Sequence, residues 1–316
     1  MSRFVLSFAL AGLACHAQTF LYVSSLGTDS STITTVYNTA DRSRVGITPL
    51  RSGGIAVAPD GRTYFVTDSN GASVAIYNAG SAQALGTAAT GGSPAAVTVT
   101  PNGQRLYVAA YAGGLISIHD ARTLALLGTV ASGYSPSAVA AHPDNQRFYV
   151  AHASDRDISV FSASNFRLVA RIATRGGVVA LNFLNNRTLL ALDSAGEEVL
   201  RIDTDSDTIE GRFEAGPEPA AMAVRGDSVY ISNSADSRIR IFNVASGRET
   251  GQIALPRCPF PRCSVMALAV DGATLYAANS SQREVFAIDL ATNRISGTFD
   301  VPTGPRWLAV GTAPRP

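Results

Sequence analysis

The sequence predicts an all-β fold, a seven-bladed β-propeller of four-stranded antiparallel blades, with the ring closed by pairing the C-terminal strand with the N-terminal blade. Three observations predict it. A large residue recurs at Tyr22, Tyr64, Tyr107, Tyr149, Leu189, Tyr230 and Tyr276, with spacings of 42, 43, 42, 40, 41 and 46 residues, the period of a four-stranded blade. Each interval holds short runs of β-forming residues separated by Gly, Asn and Asp turns. The two ends of the chain are complementary fragments of one further unit.

The clearest copy is Ser93 to Gly133, with the runs AAVTVT, RLYVAA, LISIH and ALLGTV. Asn102-Gly103 between the first two runs predicts a tight type I′ hairpin. One such sheet cannot bury either face alone, but copies packed around an axis can. Six blades are complete in sequence, beginning near Ser52, Ser93, Ser135, Gly176, Pro217 and Cys263. Blade 7 is split. Residues from about 19 to 50 supply its second, third and fourth strands, and residues 305 to 314 (PRWLAVGTAP) supply its first. Joining them removes the free sheet edges that invite aggregation. Residues 18–316 therefore form one domain.

The first 17 residues read as an export signal, with Arg3 as the positive region, Phe4 to Ala14 as the apolar region and Ala17 before a cut at Gln18. A rival route lipidates Cys15 within Gly12-Leu13-Ala14-Cys15. A large aliphatic residue usually stands where this chain has Gly12, which argues for the simple cut. No later run approaches the roughly 18 apolar residues a membrane helix needs, so the expectation is an exported protein, periplasmic or extracellular, without a transmembrane segment. Cleavage leaves two cysteines, Cys258 and Cys263, in RCPFPRC. In an oxidising compartment they are expected to form a local disulfide, since the spacing is not CxxC and two ligands alone rarely hold zinc. The long 46-residue interval contains this segment, as a loop insertion would.

Charge excludes some partners. All 25 basic residues are arginine, and loss of Arg3 leaves 24 against 24 acids, so nothing global draws the chain to nucleic acid or anionic lipid. Within the repeat, first strands are rich in alanine (Ala95, Ala96, Ala138, Ala140, Ala220, Ala221, Ala267), as expected where strands converge on the axis. Asn38, Asn78, Asp120, Asp203, Asn243 and Asp289 end the third strands, where short polar side chains close Asx-turns. These acids are expected to be structural.

Pro-Asp/Asn-Gly followed by Leu/Phe-Tyr-Val-Ala, then an apolar strand ending in Asp or Asn, resembles the YVTN-type repeat of YncE-like secreted propellers, from Thr19 to Pro314. The resemblance implies fold more than function, because relatives of this architecture include binding proteins, lactonases, lyases and redox subunits. The single-stranded DNA binding suggested for some YncE-like proteins is disfavoured by the balanced charge and by the lack of a basic, aromatic groove.

Register places the histidines. His119 aligns with Tyr37, Tyr77 and Phe161 and is expected to be packed. His142 and His152 fall at opposite ends of one blade and cannot share a metal or act as an acid–base pair. No catalytic set, metal cluster, GxSxG elbow or cofactor motif is found, so no cofactor is expected. The positions that remain are Arg51, Arg175, Arg262 and Arg306, all expected near one mouth of the channel, with Trp307 adjacent and His152 at the same end. Such a set suits an anionic or planar ligand; solvated loop arginines paired with Glu218, Asp155 or Asp157 are the alternative. The expected function is a non-catalytic scaffold that binds a protein, glycan or small anionic ligand through one face. The second reading is a lactonase- or lyase-like enzyme with its site at the channel mouth.

Overall fold

A computed structural model describes residues 18–26, 32–48, 52–256 and 264–313. The leader, Cys15, Arg51, Cys258, Arg262 and Cys263 lie outside the described residues. The described residues form 28 strands in seven four-stranded antiparallel sheets. Among them no helix is long and apolar enough to cross a membrane.

Each blade runs from the axis outward. Blade 1 contains β4 (Ser52–Val57), β5 (Thr63–Asp68), β6 (Ser73–Asn78) and β7 (Ala84–Ala89). Blade 2 contains β8 (Pro94–Val99), β9 (Arg105–Ala110), β10 (Leu115–Asp120) and β11 (Leu126–Ala131). In blade 3 the strands are β12 (Pro136–Ala141), β13 (Arg147–His152), β14 (Asp157–Ser162) and β15 (Leu168–Ala173). Blade 4 follows as β16 (Val178–Phe183), β17 (Thr188–Asp193), β18 (Glu198–Asp203) and β19 (Thr208–Glu214). Blade 5 has β20 (Pro219–Arg225), β21 (Ser228–Asn233), β22 (Arg238–Asn243) and β23 (Glu249–Ala254). Blade 6 has β24 (Val265–Asp271), β25 (Thr274–Asn279), β26 (Glu284–Asp289) and β27 (Arg294–Asp300).

Blade 7 is the split blade, ordered β28 (Gly304–Ala313), β1 (Gln18–Leu26), β2 (Thr32–Asn38) and β3 (Arg44–Thr48). Its closing pair runs from Gln18 opposite Ala313 to Leu26 opposite Gly304. Closure therefore rests on backbone hydrogen bonds between the two ends of the domain, as the complementary fragments predict.

The recurring large residue is the core of every blade. Tyr22, Tyr64, Tyr107, Tyr149 and Leu189 are fully buried, and Tyr230 and Tyr276 nearly so. Apolar layers fill the spaces between blades. Tyr107 stacks on Phe148 of the next blade with centroids 4.3 Å apart, and Tyr22 of blade 7 meets Tyr64 of blade 1 at 4.5 Å. Burying a side chain of this size contributes about 1.5–3 kcal/mol, and each marker does so within a larger apolar layer between blades.

One turn differs from expectation. Between β8 and β9 only Gly103 is left-handed, with φ of 68°, whereas a type I′ turn requires two such residues. The N–H of Gly103 donates to the Thr100 carbonyl, and that of Thr100 to the Arg105 carbonyl. This is the wider hairpin in which a type I turn ends in one left-handed glycine, because Thr100 and Pro101 extend the loop beyond two residues. The Asx-turns are as expected: Asp120 accepts from the N–H groups of Arg122 and Thr123, and Asp203 and Asp289 do the same in their blades.

Candidate functional site

The first strands share an irregularity that builds the channel mouth. In blade 2 Pro94 is opposite Ala110 but Ala96 is opposite Ala109, so Ala95 is an extra, unpaired residue. The same shift isolates Ser137, Val179, Ala220 and Met266 in blades 3 to 6. In blade 1 it isolates Gly53 and Gly54, and in blade 7 Arg306. A bulge bends its strand and re-aims the extra side chain. Here the bulges act together, since Gly54, Ala95, Ser137, Val179, Ala220, Met266 and Arg306 all line one central cavity of about 310 Å³.

Crowding explains the small residues in this ring. A Cβ on Gly54 would lie 3.1 Å from the Cα of Ala96 in the next blade. The lining is apolar apart from Ser137 and Arg306, and Arg306 is its one charged residue among the described residues. Trp307, the next residue, also lines the cavity and is half-buried. Ser137 is committed to the scaffold, its hydroxyl donating to the carbonyl of Val178 in the next blade at 2.6 Å.

The mouth opens on the face formed by the loops after the second and fourth strands, called here the channel face. Two exposed aromatics, Tyr111 and Tyr134, stand on the same face. Tyr134 is 78% exposed, yet its backbone is held, because its N–H donates to Oδ2 of Asp155 at 2.6 Å. Gly133 before it has φ of 136°, and a Cβ there would come within 2.5 Å of the same carboxylate oxygen. Glycine is therefore required where the loop closes on Asp155.

The sequence-derived site residues separate. Arg306 and Trp307 line the channel. Arg175 is on the channel face but outside that lining, with its guanidinium 3.5 Å from Glu198, which also pairs with Arg212. The partner differs from Glu218, Asp155 and Asp157. Arg51 and Arg262 lie outside the described residues. His152 is fully buried and also outside the lining. Its Nδ1 donates to Oδ1 of Asp157 at 2.8 Å, and Asp157 also receives Arg171 at 2.6 Å.

Of the remaining histidines, His119 is packed as expected, and His142, read only as a turn residue, is buried as well. His119 is buried between Ser117 Oγ at 3.0 Å and the Leu124 carbonyl at 3.1 Å, and burial pushes its pKa below the usual imidazole value. His142 is buried beside Thr204 at 3.3 Å. It follows the end of β12, whereas His152 pairs with Pro136 at the start of that strand, so the two lie at opposite ends of blade 3. No cluster of three or more metal-binding side chains occurs among the described residues.

Sequence reasoning missed the bulge ring and the tyrosines. A readable signal existed, because in six of the seven blades the bulged residue follows a Pro or Val at the start of the first strand (SPA, SPS, GVV, EPA, SVM, GPR), blade 1 having Ser-Gly-Gly instead. That column isolates Arg306 as the single charged member.

Known proteins with this fold are varied. A structure titled Kuenenia stuttgartiensis hydrazine synthase is similar with a TM-score of 0.73 and 20% identity, over 81% of this chain and 88% of that one. Dihydro-heme d1 dehydrogenase NirN, in complex with DHE, is similar at 0.67 and 18% identity, over 90% of this chain and 64% of that one. A functionally unknown protein from Desulfotomaculum acetoxidans reaches 0.77 at 12% identity, over 94% and 99%. At these identities the likeness is one of fold. No curated protein sequence matches the chain. The profile of the family described as outer membrane protein assembly factor BamB matches residues 29–298, most of the seven-bladed ring, and the chain belongs to that family.

Proposed function

We propose that this protein is an exported, non-catalytic propeller that binds a protein partner through the channel face, with an acidic side chain or chain terminus of the partner entering the mouth at Arg306. The observation that carries this reading is the bulge ring, in which one cation stands among glycine, alanine, serine, valine and methionine beside Trp307. An arginine on an apolar rim pairs with a carboxylate through charge-assisted hydrogen bonds. Tyr111 and Tyr134 supply the exposed aromatic surface typical of interface centres. The family's description as an assembly factor supports a protein partner over a metabolite. Export rests on the 17-residue leader and a disulfide on Cys258 and Cys263. The Leu/Phe-Tyr-Val-Ala motif supports a YVTN-type, YncE-like repeat.

The test is the affinity of the partner recovered by cross-linking from the native host. Arg306→Ala and Tyr134→Ala should each weaken it at least tenfold, with unchanged thermal stability. Undiminished affinity in both variants would refute the reading. The alternative, a lactonase- or lyase-like enzyme at the same mouth, is decided by a hydrolysis screen with lactones. Turnover that disappears in Arg306→Ala would favour it.

A further inference from the structure

On the face opposite the channel mouth, between blades 1 and 2, lies a cleft of about 780 Å³. Phe65 and Ile76 of blade 1 and Leu124 of blade 2 are buried in the apolar layer beneath it. Leu85 forms an apolar lip, 54% exposed. Arg62 and Arg122 stand at the rim from the two sides, both exposed. Asp60 also lines the cleft, and its Oδ1 accepts the backbone N–H of Arg62.

The repeat supplies its own comparison. In the next groove, between blades 2 and 3, Arg105 is the first residue of β9. Its guanidinium donates to the Ala163 carbonyl and lies 5.5 Å from the centroid of the Phe166 ring. Between blades 3 and 4, Arg147 is the first residue of β13 and reaches Asp207 at 3.0 Å, where Tyr149 also donates at 2.7 Å. Between blades 4 and 5, Arg201 crosses to the carbonyls of Val244 and Ala245 at 3.3 and 3.1 Å.

Between blades 1 and 2 the plug is missing. The first residue of β5 is Thr63, too short to cross. The counterpart of the Ala163 carbonyl is that of Ala121, and the counterpart of Phe166 is Leu124, which shares its left-handed backbone with φ of 59° against 60°. The space that an arginine occupies in the next groove is open here, lined by Leu85 and by Pro59 and Pro101 of the two adjoining hairpin turns, with two cations at its edge. Its volume falls within the range of small-molecule sites.

We propose that this groove binds an amphiphilic monoanion, a carboxylate with an aliphatic tail, the tail resting on Leu85, Pro59 and Pro101 and the head held between Arg62 and Arg122. Two arginines against Asp60 leave one net positive charge, which selects a single negative head. An uncharged lipid of the same shape would leave both guanidiniums uncompensated, and a bare anion would leave Leu85 and the two prolines uncovered.

The test uses dodecanoate below its micellar concentration, titrated calorimetrically into the mature protein, with dodecanol and inorganic phosphate as comparisons. Saturable one-to-one binding is expected for dodecanoate, at least tenfold tighter than for either comparison. Thr63→Arg, which restores the plug found in the neighbouring groove, should abolish binding and leave the melting temperature unchanged or higher. The rim double variant Arg62→Ala/Arg122→Ala should weaken binding at least tenfold, and it decides the matter if Thr63→Arg does not fold. Arg306→Ala should have no effect. The proposal is overturned if dodecanoate does not bind, if dodecanol binds equally well, if binding survives both the plug and the rim variants, or if Arg306→Ala alone removes it, which would assign the fatty acid to the channel.

Discussion

His152 Nδ1 donates to Oδ1 of Asp157 across the loop that joins β13 to β14, and the repeat shows what this contact is for. The last residue of the second strand is a polar hub in other blades too. Asp193 accepts the N–H groups of Gly176 and Gly196 at 2.7 and 2.8 Å. Asn233 donates to the carbonyls of Ala215 and Pro217 at 3.0 and 3.1 Å. The position ties the channel-face loops to the blade. His152→Ala should therefore cost about 1–3 kcal/mol, the range for stranding a buried partner. His152→Asn, which copies blade 5, should cost under about 1 kcal/mol on the same scale. Urea denaturation of the two variants measures both.

Asp120, Asp203 and Asp289 cap their turns by accepting backbone N–H bonds, which hold each carboxyl below its ordinary value of 3.8. A depressed folded-state pKa contributes stability that is full above the unfolded value and is lost as pH falls through the folded one. Stability should thus decline below about pH 4. Asn38, Asn78 and Asn243 fill the same position in other blades without titrating. The triple variant Asp120→Asn/Asp203→Asn/Asp289→Asn should keep its stability near pH 7 and show a flatter profile below pH 4, as thermal melts across pH would reveal.

Gly61 sits where blade 1 meets the closing strand, with φ of 68° and with the place of a Cβ only 1.7 Å from the Thr312 carbonyl oxygen. Backbone cannot yield there as a flexible side chain would. Gly61→Ala should destabilise the ring by more than about 2 kcal/mol, combining left-handed strain with displacement of β28. Gly226→Ala, also left-handed but with open space around it, should cost about 1 kcal/mol from strain alone. Denaturation midpoints of the pair separate the two effects.

Tyr149 donates to Asp207, which also receives Arg147. Burial, reinforced by this hydrogen bond, pushes the phenol well above its usual pKa. Tyr149→Phe should cost about 1–2 kcal/mol, since it leaves a carboxylate oxygen short of a donor while keeping the ring packed. Tyr107→Phe should cost less, because the Tyr107 hydroxyl has no hydrogen-bond partner among the described residues.

The fold was legible because a repeat reports itself. Seven copies of one apolar marker, and two end fragments that complete each other, leave little freedom in the topology. The site was less legible because its parts come from different blades. Arg306 was visible as a cation near a strand start, but its place in the mouth follows from a bulge that all seven first strands share, and bulges leave no mark in hydrophobic periodicity. Arg175 is equivalent by spacing, yet it stands outside the channel lining with its guanidinium 3.5 Å from Glu198. Thr63 carries a signal only beside its counterparts in register, Arg105 and Arg147, which fill their grooves. The Asn102-Gly103 dipeptide suggests a two-residue turn, but the loop is longer than its central dipeptide.

The proposed role requires that one face of the ring, organised around Arg306, receive a protein. The most direct measurement is in-cell photo-cross-linking with a photoreactive residue placed in turn at positions 111, 134 and 307 on the channel face and at 81, 248 and 292 on the opposite face. A discrete protein adduct is expected from the first three positions, lost on adding Arg306→Ala, and none from the others. Adducts from the opposite face alone, or channel-face adducts unchanged by Arg306→Ala, would contradict it.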